Sequence, residues 1–251
     1  MEALVPFLIV CPLTFLAGFV DAIAGGGGLI SLPAFLMAGL PPHMCLATNK
    51  MSSCMGTALA TARFALMGYI RGARVVPCVL CALGGAALGA RAALALSAEV
   101  LTWVMLVMVP LTAIYVLRPK SLQEKEGALP PRREMTVAAL VAFTMGAYDG
   151  FYGPGTGTFM MIGFMTLAHL PLNEAAGLTK ATNLSTNLAA LVVFLLHGQV
   201  WLLLGLMAGL FNMAGAWLGV SLFASKGLKA VKPVIVTVLA IFMIRMLAEL
   251  L

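Results

Sequence analysis

Apolar residues are grouped along the chain into ten segments, separated by short polar or glycine-rich stretches. Five segments precede a charged stretch and five follow it, at 3–24, 29–40, 44–67, 74–96, 100–117, 135–152, 157–169, 175–197, 200–224 and 233–250. As helices, most of them are long enough to cross a hydrocarbon core of about 30 Å. The segments 29–40 and 157–169 are too short, and each follows a glycine-rich break.

The two groups of segments resemble each other in sequence. A shift of 128 residues, which becomes 130 after a short insertion, aligns identical residues of the two halves, including Asp21 with Asp149, Pro41 with Pro171 and Lys50 with Lys180. Apolar matches arise easily in so apolar a chain, whereas Asp, Lys and Pro are rare in it. The three matches of these rare residues therefore predict an internal repeat.

The charges of the loops predict that the two repeats have opposite orientations. Arg71 and Arg74 follow the third segment, whereas the equivalent loop of the second half, at 197–200, has no Lys or Arg. The next pair of loops reverses this, since the basic loop is now the one at 225–232. Basic loops face the cytoplasm, so equivalent loops are expected on opposite sides of the membrane, with both chain termini outside the cytoplasm.

The sequence thus predicts an all-α polytopic membrane protein made of two inverted-topology repeats, with glycine-broken short helices near the membrane midplane. The first repeat is 1–117, a charged cytoplasmic linker is 118–134, and the second, inverted repeat is 135–251. Inversion requires an odd number of crossings per half. Either all five segments cross, or the first two form a re-entrant hairpin and three cross.

Composition agrees with a membrane protein and excludes several other classes. Hydrophobic residues make up 62% of the chain and charged residues 10%, against roughly 25% charged residues in soluble domains. The first segment has no basic region before it and no cleavage pattern after it, so we expect an uncleaved membrane segment. The net charge of +6 suits cytoplasmic loops, and no basic soluble domain is present that would bind nucleic acid.

No catalytic or metal-binding motif is visible, so neither an enzyme nor a cofactor or metal site is predicted. The five cysteines lie in apolar runs, and we interpret them as packing residues, including the pair Cys78 and Cys81.

The two glycine breaks are the first candidate functional feature. Irregular backbone survives at membrane depth only where protein or a wet cavity surrounds it. The short helix after each break begins with free N–H groups and a positive dipole end, which attract anions. The residues predicted to bind an anion here are Gly26, Gly27, Gly28, Gly155, Thr156 and Gly157. The alternative is that these glycines only let helices pack closely.

A polar cluster at the start of each third segment is the second feature. Lys50, Ser53 and Thr57 fall on one helical face, and so do their counterparts. The candidate ligands of an anion are Asn49, Lys50, Ser53, Thr57, Lys180, Asn183 and Asn187. A lysine inside a membrane segment is a functional hypothesis by default, although near a helix end it can instead extend to the interface.

Asp21 and Asp149 have three alternative roles, either coupling or structural. They can pair with the lysines as buried salt bridges, cap backbone N–H groups at the breaks, or carry a proton that is coupled to transport. The sequence alone does not choose among these roles.

The residues 18–53, which contain the glycine run and the Thr/Asn/Lys cluster, and their weaker repeat at 146–183 resemble the TauE/SafE family of sulfite and organosulfonate exporters. The resemblance implies a multi-pass inner-membrane secondary transporter of a small anion such as sulfite or sulfoacetate, working by alternating access. The expected partners are that anion, the lipid bilayer and, if transport is coupled, protons; a homodimer is also considered, and no nucleic acid is expected. A passive anion channel and a non-transporting partner subunit are the alternative functions.

Overall fold

The computed structural model describes residues 4–116, 127 and 129–226, and it is all-helical over this part of the chain. The helices, in chain order, are α1 (Val5–Ala24), α2 (Gly28–Met37), α3 (Pro42–Leu66), α4 (Val75–Ala95), α5 (Ala98–Val116), α6 (Pro131–Phe151), α7 (Thr156–Thr166), α8 (Leu172–Leu196) and α9 (Leu202–Lys226). They correspond to the first nine predicted segments. The tenth, 233–250, and most of the predicted linker lie outside the described residues, and α6 already begins at Pro131.

Four of the described helices are long and apolar enough to cross a membrane, at Val5–Ile23, Val75–Ala95, Leu172–Leu196 and Leu202–Ser225. The protein is therefore a multi-pass membrane protein. α2 and α7 have only 10 and 11 residues, so neither can cross alone.

Glycine and proline set the boundaries of the helices around the two breaks. α1 ends at Gly25, whose φ of 74° is left-handed, and α7 follows Gly155, whose φ of 81° is also left-handed. Such backbone is readily adopted only by glycine. Pro41 and Pro171 precede α3 and α8 with nearly the same backbone angles, φ −57° and ψ 149° against φ −59° and ψ 150°.

α4 packs on α6, and α9 packs on α1, through glycines that touch the backbone of the opposite helix. A Cβ atom on Gly85 would lie 2.2 Å from the carbonyl oxygen of Phe143, and one on Gly215 would lie 1.9 Å from that of Phe15. The two contacts are equivalent in the aligned halves, because Gly85 aligns with Gly215 and Phe15 with Phe143. The sequence did not predict which helices these glycines contact. The small residues let the helix axes approach closely.

Each half of the chain therefore contributes its fourth helix to the first helix of the other half. α1, α3 and α9 form one packed group, which we call body I, and α6, α8 and α4 form the equivalent group, body II. α3 and α8 also pack against each other and join the two bodies.

An ion-pair cluster shows which helix ends lie together. Arg74 precedes α4 and contacts Glu134 of α6 at 2.7 Å and Glu174 of α8 at 3.1 Å. Both glutamates belong to the first turn of their helices. Because one guanidinium reaches both, α6 and α8 begin at the same end of the molecule. The segment made of α6 and α7 therefore leaves this end of the molecule and returns to it before α8 begins.

Candidate functional site

The polar clusters of α3 and α8 are buried between the two bodies. The polar side chains that are almost wholly inaccessible on these helices are Thr48, Asn49, Lys50, Ser52, Thr57, Thr179, Lys180, Thr182, Asn183, Ser185, Thr186 and Asn187. Buried polar groups are costly unless they find partners, so this concentration requires either internal hydrogen bonds or a ligand. It also means that neither lysine extends to the membrane surface: Lys50 is 2% exposed and Lys180 3%.

Lys50 is held by side chains of the opposite half. Its Nζ lies 2.7 Å from Oδ2 of Asp149 on α6 and donates a hydrogen bond of 3.2 Å to Oδ1 of Asn187 on α8. The Asp149 side chain is 4% exposed, and no other hydrogen-bond donor reaches that carboxylate oxygen within the described residues. The pair is therefore a buried salt bridge between bodies I and II.

Lys180 makes a different set of contacts with Asp21 of α1. Its Nζ donates to the main-chain carbonyl oxygen of Asp21 and lies 3.3 Å from the carboxylate Oδ2. The same carbonyl also accepts from the N–H of Gly25, at the end of α1. Lys180 thus places a positive charge at a helix C-terminus, where the dipole is negative. The Asp21 side chain is 18% exposed.

Both aspartates therefore pair with lysines, which is the first of the three roles considered from the sequence. Each pair joins one half of the chain to the other, and the two pairs are related by the repeat. Two cations facing two anions leave the centre with no net charge. The positive potential expected from two lysines and two helix N-termini is therefore offset by the aspartates.

A small cavity lies between the two glycine breaks, with room for about one water molecule at about 20 Å³. The residues lining it are Asp21, Gly25, Gly28, Asn49, Lys50, Ser53, Asp149, Gly153, Gly157, Asn183 and Asn187. Most of the predicted site residues are among them. The structure thus brings together the glycine breaks, residues 49–53 of α3 and residues 183–187 of α8 around one polar cavity.

The other predicted residues do not line this cavity, namely Gly26, Gly27, Gly155, Thr156, Thr57 and Lys180. Two of the hydroxyls bond to their own backbone: Thr57 donates to the carbonyl of Ser53 at 2.6 Å, and Thr156 donates to that of Gly153 at 2.6 Å. Such local bonds are common for threonine in helices. Their direct role in binding stays a prediction.

Two lining residues, Gly25 and Gly153, were absent from the predicted set. Gly25 touches the backbone of Gly157, and its carbonyl accepts a hydrogen bond of 3.3 Å from the N–H of Thr158. A Cβ on Gly153 would lie 3.1 Å from Nζ of Lys50. The alignment of the repeats already paired Gly25 with Gly153, so this match was the signal in the sequence.

Asn49 lines the cavity with a carbonyl oxygen that accepts no hydrogen bond from the part of the chain that the structure describes. The residue is 4% exposed. A buried amide that lines a cavity and is only partly satisfied is available to a bound water or ligand. Within residues 4–116, 127 and 129–226, no group of three or more His, Cys, Asp or Glu side chains is arranged to hold a metal ion.

Comparison with known proteins gives a consistent result. A family model described as "Sulfite exporter TauE/SafE" matches residues 10–246. The chain is 38% identical over 249 residues to the "Probable membrane transporter protein ORF9" of a Sinorhizobium species, covering 98% of this chain and 93% of that protein. It is 33% identical over 237 residues to the "Probable membrane transporter protein YfcA" of Escherichia coli K12, covering 93% and 87%. No solved structure matches.

Proposed function

Because the chain belongs to the sulfite exporter TauE/SafE family of membrane transporters, we propose that it moves a small anion across the inner membrane as a secondary transporter. The proposed substrate is sulfite or an organosulfonate such as sulfoacetate, and the proposed mechanism is alternating access. The observation that carries the proposal is the buried polar cavity beside Lys50, which lies between two glycine breaks inside the helical bundle. An enzymatic reaction has no comparable support.

The geometry of the cavity supports an oxyanion as the ligand. Among the groups that line the cavity are one ammonium, two amides and one hydroxyl, which belong to Lys50, Asn49, Asn183 and Ser53. Charge-assisted hydrogen bonds from such groups are suited to oxyanions. A lysine ammonium is a point charge with rotatable donors, so it does not demand one fixed ligand shape. Such a site is suited to sulfite, the anion in the description of the family.

We propose the re-entrant version of the inverted repeat, in which α1 with α2 and α6 with α7 form hairpins. The contact of Arg74 with the first turns of both α6 and α8 supports it, since the chain returns to its starting end between them. The equivalent glycine contacts of α4 with α6 and of α9 with α1 support a pseudo-two-fold axis that relates the halves. Three crossings per half then follow, with the tenth predicted segment as the last.

Alternating access needs two bodies that move relative to each other, and the packing favours bodies I and II over the two sequence halves. Backbone contacts at glycines join α4 to α6 and α9 to α1, so these pairs are expected to move together. The cavity and both lysine–aspartate pairs lie between the bodies. A movement that separates the bodies would open this cavity to one side of the membrane at a time.

The test is transport by purified protein in proteoliposomes, with ³⁵S-labelled sulfite and ³⁵S-labelled ethanesulfonate as substrates. We expect uptake that saturates and that is accelerated by unlabelled anion on the other side of the membrane, because a carrier exchanges its substrate. Lys50→Ala should reduce this uptake by about tenfold or more, since it removes a charged hydrogen bond to the ligand.

Arg71→Ala is the matched control, because Arg71 is an exposed basic residue that does not line the cavity. Its uptake should equal that of the parent protein. Conductance in planar bilayers without counterflow would indicate a channel instead. No flux of either anion, from protein that is monodisperse in detergent, would contradict the proposed function.

A further inference from the structure

The two lysines are equivalent in the repeat but are held by different kinds of group. Lys180 is bound to the main-chain carbonyl of Asp21, and this carbonyl cannot leave without unwinding the end of α1. Within the described residues, Lys50 is bound only to side chains, the carboxylate of Asp149 and the amide of Asn187. Side chains can rotate away, so the contacts of Lys50 are exchangeable while those of Lys180 are part of the helix end.

The two lysines also differ in their position relative to the cavity. Lys50 lines it together with Asp149, whereas Lys180 lies outside its lining, behind Asp21. Asn49, whose Oδ1 has no hydrogen-bond partner among the residues that the structure describes, lines the cavity from the helix that carries Lys50. A ligand that enters this space therefore meets Lys50 and not Lys180.

We infer that Lys50 binds the anionic group of the substrate by releasing Asp149, that Asp149 takes up a proton as it is released, and that Lys180 only positions α1. This inference rests on the proposed function. The carboxylate of Asp149 occupies, in the empty carrier, the position of the transported oxyanion.

The charge balance favours the proton. The centre has two cations and two anions, and a monoanion added to it would leave one uncompensated negative charge beside Lys50 and Asp149, whose side chains are almost wholly buried. A proton taken from the solution on the side of entry and bound to the carboxylate of Asp149 restores neutrality. When the anion leaves on the other side, this proton leaves too and Asp149 pairs with Lys50 again. One proton thus accompanies each sulfonate.

Few other groups near Asp149 can take part in this exchange. On α3 the neighbours are Lys50 and the buried thiol of Cys54, on α8 they are the amides of Asn183 and Asn187, and on α6 itself Tyr148 is adjacent. Asp21 of α1 lies across the cavity. α7 has no titratable residue, and α4 contacts α6 through glycine and alanine.

The size of the cavity agrees with an exchange and not with simple addition. It has room for about one water molecule, and a sulfonate group is larger than water. Release of the Asp149 carboxylate from Lys50 frees both space and donors at the same point. Asn49, Ser53 and Asn183 then remain to bind the further oxygens of the ligand.

Ethanesulfonate is the probe for the test, because it stays a monoanion over the accessible pH range and any pH dependence belongs to the protein. Proteoliposomes containing a pH-sensitive dye are given labelled ethanesulfonate with and without a pH gradient. For the parent protein we expect one proton to move with each sulfonate and a pH gradient to drive accumulation. Asp149→Asn should still exchange sulfonate for sulfonate but should lose proton movement and accumulation.

Glu174→Gln is the control, since it neutralises a carboxylate that pairs with Arg74 and does not line the cavity, and it should keep proton-driven accumulation. Lys180→Arg should keep the apparent KM for ethanesulfonate, because arginine can still donate to the carbonyl of Asp21, whereas Lys50→Arg should raise the KM about tenfold. Equal loss of coupling in Asp149→Asn and Glu174→Gln, or an unchanged KM in Lys50→Arg, would overturn the division of roles.

A measurement on the parent protein alone avoids any folding defect of the variants. Ethanesulfonate is added to detergent-purified protein in weakly buffered solution with a pH indicator, and we expect about one proton to be taken up per anion bound. Binding without proton uptake, or flux without proton movement, would refute this inference but leave the proposed function intact. Absence of both sulfite and ethanesulfonate flux would refute both.

Discussion

Gly85→Ala is a direct test of the backbone contact that joins α4 to α6 across the two halves of the chain. The Cβ of the new residue would lie 2.2 Å from the carbonyl oxygen of Phe143 and 2.9 Å from the N atom of Ala147. Gly84, the preceding residue, provides the control, because a Cβ at that position meets nothing within 4 Å. The two variants have the same composition and differ only in the side of α4 that carries the methyl group.

The expected magnitude follows from these distances. Ordinary contacts of a Cβ are 3.4–4 Å long, so α4 must move away from α6 by about 1 Å to accept the methyl group. Overpacking of this kind costs about 1–3 kcal/mol, while alanine in place of glycine inside a helix contributes about 1 kcal/mol in favour of folding. Gly84→Ala should show only the favourable contribution of alanine to helix stability, because its Cβ meets no neighbour. Gly85→Ala should therefore be less stable than Gly84→Ala by about 1–3 kcal/mol.

Thermal unfolding in detergent measures this difference, with loss of the monodisperse peak in size-exclusion chromatography as the signal. For a chain of this size the predicted gap corresponds to an apparent Tm lower by roughly 2–12 °C in Gly85→Ala. Gly215→Ala should behave in the same way, because its Cβ would lie 1.9 Å from the carbonyl of Phe15. If Gly85→Ala and Gly84→Ala unfold at the same temperature, the close approach of α4 and α6 is wrong.

Three further predictions concern single side chains. Gly25→Ala should lower the apparent Tm and ethanesulfonate uptake more than Gly39→Ala. Both glycines have positive φ, but only a Cβ on Gly25 would press onto the backbone of α7. Equal effects of the two substitutions would contradict the contact of Gly25 with α7. Arg74→Ala should lower the free energy of unfolding by about 1 kcal/mol at low salt and by less at high salt. Arg71→Ala should not change it at either salt concentration, because the described residues show no ion pair of Arg71. Urea or thermal unfolding at two ionic strengths measures both effects. Arg63→Lys should destabilise by about 1 kcal/mol, since lysine cannot replace the guanidinium that donates to α9 and stacks on its tryptophan, and a parental Tm would refute this.

The helices could be predicted largely from the pattern of apolar segments, because each break is made by local chemistry. The segment expected at 157–169 is the helix Thr156–Thr166, and the one expected at 29–40 is Gly28–Met37. Glycine and proline determine these boundaries through their own backbone preferences. Residues distant in the chain have little influence on them.

The partners of the aspartates could not be predicted in the same way. Asp21 and Lys180 are 159 residues apart, and the sequence left three roles for the carboxylates open. The sequence placed Lys50, Ser53 and Thr57 on one helical face, yet Thr57 turns its hydroxyl to its own backbone. The direction of a side chain depends on which neighbour offers the better hydrogen bond, and neighbours are set by packing.

The two lysines have different contacts because the backbone differs at the two glycine breaks, although the two halves align in sequence. Three residues separate α1 from α2, whereas four separate α6 from α7. α1 is followed by left-handed Gly25, and the carbonyl of Asp21 accepts from both the Gly25 N–H and Lys180. α6 is followed by Tyr152 with φ −138°, and there Lys50 contacts the carboxylate of Asp149. Two nearly equal halves thus build one fixed and one exchangeable ammonium. The proposed exchange of Asp149 for a monoanion uses one of these two ammonium groups, that of Lys50. The departure from symmetry at the breaks is therefore the feature on which transport is expected to depend.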